Sequence, residues 1–235
     1  MTHAASEHSG AVALTSSDAT DVRGAASPGE RFAERLTGSS RASAEVLTRR
    51  LVGQQEAHLT TALEAVVADG SLPRAAALVV AARRRFVTGT AKSLAYASLL
   101  AADLTVGLSH VTLVDEAAVR GLDVLPEVGP SDVLVAFSFR RYRRETVAFA
   151  RAFVGAGGTL IAVTDDADAP LASIATQTVV VDTESASFAD SPTAVVAVAH
   201  VLATLAAASA KGARRRIAAR DRLAADLGLY LEEPW

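Results

Sequence analysis

The residues with the most chemical potential fall in three short stretches, each following an apolar run. Thr88-Gly89-Thr90-Ala91-Lys92-Ser93 combines a tight-turning Gly89, hydroxyls at Thr90 and Ser93, and a point charge at Lys92. With the free N–H groups of a helix start, that set suits a phosphate or another anion. Its glycine spacing is neither that of an NTPase phosphate loop nor that of a dinucleotide fingerprint. Ser138-Phe139-Arg140-Arg141-Tyr142-Arg143-Arg144-Glu145-Thr146 puts four arginines within five positions. Guanidinium groups grip phosphate or carboxylate in bidentate fashion, so the predicted contacts are Ser138, Arg140, Arg141 and Arg143. Thr164-Asp165-Asp166-Ala167-Asp168 offers carboxylates to a metal or to sugar hydroxyls. With no histidine nearby in sequence, it reads as a turn capping a short helix; no metal site and no cofactor are predicted.

Those stretches need elements to position them, and the chain supplies an alternation of strand and helix. Apolar runs at Phe86-Val87, His110–Val114, Asp132–Phe137, Thr159–Val163 and Thr178–Val181 read as five strands. Helical patterns near 92–107 and 143–154, and from Pro192, separate or follow them. Short apolar strands alternating with helices imply parallel β-α-β units with both sheet faces covered. The predicted fold is an α/β three-layer α/β/α sandwich with a five-stranded parallel sheet. In such sheets ligands sit beyond the carboxyl ends of the strands, where the strand order reverses. Before the sheet, Leu47, Leu51, Leu59 and Leu63 recur at helical spacing, predicting one long amphipathic helix over 41–68. Pro73 then suits the first turn of a helix running to about Arg83.

The expected organisation is a disordered tail over 1–28, a helical extension over 29–70, a ligand-binding domain over 71–208 and an amphipathic helix over 209–235. The chain has 235 residues, half of them hydrophobic and 21% charged, which is enough to bury a core. Net charge is −3, which argues against a whole-protein nucleic-acid binder but leaves room for a local basic pocket. There is no cysteine, so thiol chemistry and disulfides are excluded. Ser191–Ala210 is twenty residues without a formal charge, yet its alanine content favours a buried core helix over a membrane span. No signal peptide is visible, and a soluble cytoplasmic protein is expected.

The chain resembles a sugar isomerase (SIS) domain, in the version found in RpiR-type transcriptional regulators. The stretches that carry the likeness are AARRRFVTGTAKSLAYA at 81–97, DVLVAFSFRRYRRETV at 132–147 and GAGGTLIAVTDDADAPLASIAT at 155–176. The resemblance spans roughly 71–208 and implies a phosphosugar-binding domain, usually dimeric. It assigns Ser93 to the family's phosphate-contacting serine. It also exposes departures: Ala91 stands where a second glycine is common, Arg140 and Arg143 replace hydroxyl residues of the second loop, and Ala169 replaces a serine before Pro170. The helix over 41–68 resembles only the linker that follows a helix-turn-helix domain in those regulators. No recognition helix is found, which argues against direct DNA binding. The Arg214–Arg216, Arg220 and Arg222 cluster reads as the exposed face of an amphipathic helix.

An aldose–ketose isomerase needs a base near neutral pH beside the sugar carbon. His200 and Glu145 are the candidates, although His200 reads better as a buried core histidine, and Glu145, with Glu184 near the ligand edge, reads as an ion-pair partner. The leading expectation is a sensor module that binds a phosphorylated sugar or other small anionic metabolite as a homodimer or higher homo-oligomer. The alternatives are a phosphosugar isomerase or lyase, and an assembly protein with a vestigial pocket.

Overall fold

The structure, a computed structural model, describes Ser27, residues 29–32 and residues 44–231. The disordered tail expected over 1–28 lies almost wholly outside the described residues. Helix α1 (Ala44–Asp69) is the long helix expected from leucine spacing, and Gly70, in the left-handed region, turns the chain into α2 (Ser71–Ala81). Five strands follow: β1 (Arg84–Gly89), β2 (Val111–Val114), β3 (Asp132–Phe137), β4 (Thr159–Thr164) and β5 (Gln177–Val180). Between them run α3 (Lys92–Gly107), the single turn α4 (Gly121–Val124) and α5 (Arg144–Gly155); α6 (Thr193–Ser209) and α7 (Ala213–Asp226) close the chain. All strand pairs are parallel, in the order β2-β1-β3-β4-β5.

Side-chain alternation along the strands divides the core into two layers. Val133, Val135 and Phe137 of β3 point to the face covered by α2, α3 and α6, with Ala62 and Val66 of α1 behind them. Leu134 and Ala136 point to the other face, where Ala150 and Phe153 of α5 pack. All six residues of β3 are buried, as expected for a central strand covered on both sides. Phe153 stands edge-on to Phe86 at 5.6 Å, locking α5 to the sheet. Helix α6, the apolar run at 191–210, buries Val195, Val198, Ala199 and Leu202 in this core. Among the described residues no single helix is long and apolar enough to cross a membrane.

The start of β3 carries a buried charge pair. Asp132 is 1% exposed and accepts Arg84 Nε at 3.0 Å, Arg84 Nη2 at 2.8 Å and the Gly129 N–H at 2.9 Å. The Arg84 hydrogen bonds hold the Asp132 carboxyl below its ordinary range. A depressed carboxyl stabilises the fold fully above the ordinary carboxylate range and loses that contribution as pH falls through its lowered value. Arg84→Met would strand the buried carboxylate, so we expect about 3 kcal/mol or more of lost stability at pH 7. The difference from wild type should shrink on acidification as Asp132 protonates, read by urea denaturation across pH.

Candidate functional site

Neighbouring strands β1 and β3 send their chains to opposite faces of the sheet, α3 to one and α5 to the other. Their carboxyl ends therefore open a crevice, as parallel sheets do where strand order reverses. A cavity of about 430 Å³ sits there, lined by Thr90, Lys92, Ser93, Arg140, Arg141 and Arg143 of the first two loops. The tertiary structure thus brings six of the eight predicted contacts to one hollow. The other two, Gly89 and Ser138, are not in its lining. Gly89 acts through the backbone: a Cβ there would stand 2.6 Å from the Ser93 carbonyl oxygen, so only glycine lets the first turn of α3 lie against the strand end. Ser138 is 4% exposed, its N–H bonds Val163 O at 3.0 Å, and its Oγ has no hydrogen-bond partner among the described residues.

The helix starts contribute to the same hollow. Among the described residues neither α3 nor α5 receives a side-chain cap; the Ser93 and Leu94 N–H groups of α3 bond the carbonyls of Thr90 and Ala91, whereas the first N–H groups of α5 meet no acceptor at the carboxyl edge. Their partial positive charge adds to that of the side chains. Thr90 Oγ1 and Thr146 Oγ1 share a hydrogen bond of 2.8 Å, which ties the first loop to the first turn of α5. That bond leaves Thr90 with a remaining lone pair or proton for a ligand, but fixes its rotamer.

The arginines of the second loop divide in role. Arg140 is engaged: its Nη2 donates to Asp166 Oδ2 at 2.9 Å, its Nε lies 3.3 Å from Asp165 Oδ2, and its N–H donates to the same oxygen at 3.2 Å. Tyr142 donates to Asp165 Oδ1 at 3.0 Å, and burial, with the Asp165 charge beside it, pushes that phenol up to about 12. The acidic third loop is therefore an anchor for the basic second loop. Asp166 also accepts the Asp168 N–H at 3.0 Å, the turn expected from the sequence. Arg141 and Arg143 are exposed and, among the described residues, meet no carboxylate; they face the cavity with their charge uncompensated.

Tyr96, Phe139, Arg31 and Asp190 are among the lining groups that escaped the sequence reading. Tyr96 and Phe139 meet edge-to-face at 5.8 Å and give the cavity an aromatic wall. Tyr96 follows Lys92 by four residues on one helix, a spacing that could have placed it there. Arg31 and Asp190 form an ion pair at the cavity rim, and the Lys92 ammonium donates to the Asp190 carbonyl. Burial draws Lys92 below its ordinary value, with Asp190 opposing. No local pattern signals Arg31, which is 159 positions from its partner. Segment 29–32 reaches the loop before α6 through Phe32 on Phe188, and α1 holds that loop by Gln55 Nε2 donating to Ser191 Oγ at 2.7 Å.

The two acid–base candidates stand elsewhere. His200 is exposed on α6, 3.4 Å from Asp103, which corrects the expectation of a buried core histidine; it does not line the cavity. Glu145 and Glu184 are also exposed and outside the lining.

The strand order is that of a doubly wound α/β fold with its cavity at the point where the order reverses, and family comparison narrows it further. The SIS domain model matches residues 78–205, more than half of the chain, and the chain belongs to that family. The sugar isomerase domain of an RpiR transcription factor from Sphaerobacter thermophilus superposes with a TM-score of 0.66 at 25% identity, covering 75% of this chain and 98% of that one. Vibrio vulnificus NanR complexed with ManNAc-6P gives 0.63 at 17% identity, covering 78% and 73%. An E. coli CFT073 protein in complex with A5P gives 0.56 at 19% identity, covering 76% and 100%. The last two establish likeness of fold. No match is found among curated protein sequences.

Ala91, where the family commonly has glycine, retains a glycine-like backbone at φ 55° and ψ −123°. An alanine so placed carries strain of about 1–3 kcal/mol. Part of the relief from Ala91→Gly is offset by glycine's greater unfolded freedom. We expect a net stabilisation of about 1 kcal/mol, raising Tm by roughly 2–4 °C in a chain of this size, read by calorimetry.

Proposed function

We propose that this SIS domain binds a phosphorylated sugar, or a related anionic carbohydrate derivative, and acts as a sensor module of the RpiR-related kind. The observation that carries the reading is the pair Arg141 and Arg143, charged and without carboxylate partners among the described residues, facing a hollow that Thr90, Lys92 and Ser93 border. A phosphate at the two helix starts would take N–H groups, hydroxyls and guanidiniums together. The aromatic wall of Tyr96 and Phe139 then suits the apolar face of a sugar ring. Phosphosugar complexes of NanR and of the E. coli protein, which share the fold, support the ligand class.

Binding without turnover is the reading the lining favours. Among the described lining residues Asp190 is the one carboxylate, and Arg31 neutralises it. An isomerase base at neutral pH needs a group able to take a proton beside the sugar carbon, and neither His200 nor Glu145 lines this hollow. The module is proposed to work in the cytoplasm as a homodimer or higher oligomer, with Val46, Val52 and Val67 of α1 and Val196 and Val201 of α6 as exposed apolar surface for assembly.

A thermal-shift and calorimetric series with A5P, ManNAc-6P, glucose 6-phosphate and glucose tests this. At least one phosphosugar should raise Tm while glucose does not. Arg141→Ala combined with Arg143→Ala removes two charge-assisted contacts of about 1.5–3 kcal/mol each, so affinity should fall by roughly a hundredfold or more. Affinity unchanged in that variant would refute the site, and conversion of the sugar seen by NMR would refute the sensor reading.

A further inference from the structure

A second cavity, of about 950 Å³, lies at the opposite end of the sheet, where β1 and β2 begin and the last turn of α3 meets α7. Arg85, Lys211, Arg215, Arg216, Arg220 and Arg222 line it, and no carboxylate does. In a chain of net charge −3, six cations converge on one hollow. The arginines of α7 are exposed, as their sequence pattern predicts, and the helix lies so that four of them border a concavity. Among the described residues neither these four nor Lys211 forms an ion pair.

Arg85 provides an independent reason to expect an anion. It is only 7% exposed, and its guanidinium donates to the carbonyls of Val79 at 2.7 Å, Ser109 at 2.9 Å and Val80 at 3.1 Å. Those bonds close the last turn of α2 and the turn before β2. Carbonyl dipoles solvate the charge without neutralising it, and no carboxylate among the described residues meets it. A buried charge without a counterion is costly, and arginine cannot shed its proton to escape. The uncapped start of α7, just after Gly212, opens on the same cavity and adds partial positive charge.

We propose that this cleft is a second anion site that takes an oligophosphate, a chain of linked phosphoryl groups, either free or carried by a nucleotide. The spread of the cations selects the chain over a single phosphate. At 1.5 Å of rise per helical residue, Arg215 to Arg222 alone extends roughly 10 Å, about the length of a triphosphate. Concavity selects a small ligand over a nucleic-acid duplex, whose phosphates are met by protruding elements. Leu108, Val80 and Leu223 leave an apolar flank on which a base can lie. The site is separate from the sugar cavity and stands whether or not that reading holds.

Isothermal titration of the full chain with sodium tripolyphosphate, ATP and a short DNA duplex, near physiological salt, tests the proposal. The Arg141→Ala/Arg143→Ala background weakens the sugar cavity as a competing anion site. Tripolyphosphate should bind there with one-to-one saturation, and adding Arg216→Glu with Arg220→Glu on the exposed face of α7 should weaken it at least about tenfold. Circular dichroism of that variant should match wild type. ATP tighter than tripolyphosphate assigns the site to nucleotides, and equal affinity assigns it to the phosphate chain alone. Absence of saturable tripolyphosphate binding, indifference to the α7 substitutions, or a stoichiometric preference for the duplex would overturn it.

Discussion

Two parallel strands lie side by side while the helices that leave them pack on opposite faces, and this constraint organises the molecule. Because α3 and α5 cannot both cover the gap between β1 and β3, the carboxyl edge stays open there. Everything polar at the site follows from that opening: two uncapped helix starts, the hydroxyls of the first loop and the arginines of the second. At its edge the first turn of α3 lies close against the bare Cα of Gly89, and the Thr90–Thr146 hydrogen bond joins the first loop to α5.

Within that frame, carboxylates decide which arginines hold the structure and which face the cavity. Arg84 is consumed by Asp132 at the amino edge, Arg140 by Asp165 and Asp166 at the carboxyl edge, and Arg31 by Asp190 at the cavity rim. These pairs fix loops, and the Asp132 pair is buried deeply enough for its loss to matter to stability. Arg141 and Arg143 are left with charge to spare, a few residues along the same loop. Neighbours in sequence with identical chemistry thus have different roles, set by what lies across from them.

Much of the fold was legible because the patterns were strong. The strand over Asp132–Phe137 and the helix over 92–107 have the boundaries their sequence predicts, since an uninterrupted apolar run and a glycine-bounded loop leave few alternatives. The cavity's place was legible as well, given a parallel sheet and three polar loops at strand ends. Ser138 shows the limit: its position after β3 suggested a ligand contact, but only the tertiary structure shows that its hydroxyl is buried without a hydrogen-bond partner among the described residues. His200 shows another, for apolar neighbours on both sides suggested burial, yet the helix rotates it outward toward Asp103.

By itself the sequence determined the parallel α/β/α sandwich, the order of its elements and the basic character of its second loop, because periodicity and residue type are local properties. Tertiary structure decided which cations are neutralised, that Tyr96, Arg31 and Asp190 join the first cavity, and that Arg85 and the α7 arginines share a second. Those outcomes rest on contacts between residues as far apart as Arg31 and Asp190, and Coulomb attraction and burial act through space, where sequence separation carries no information.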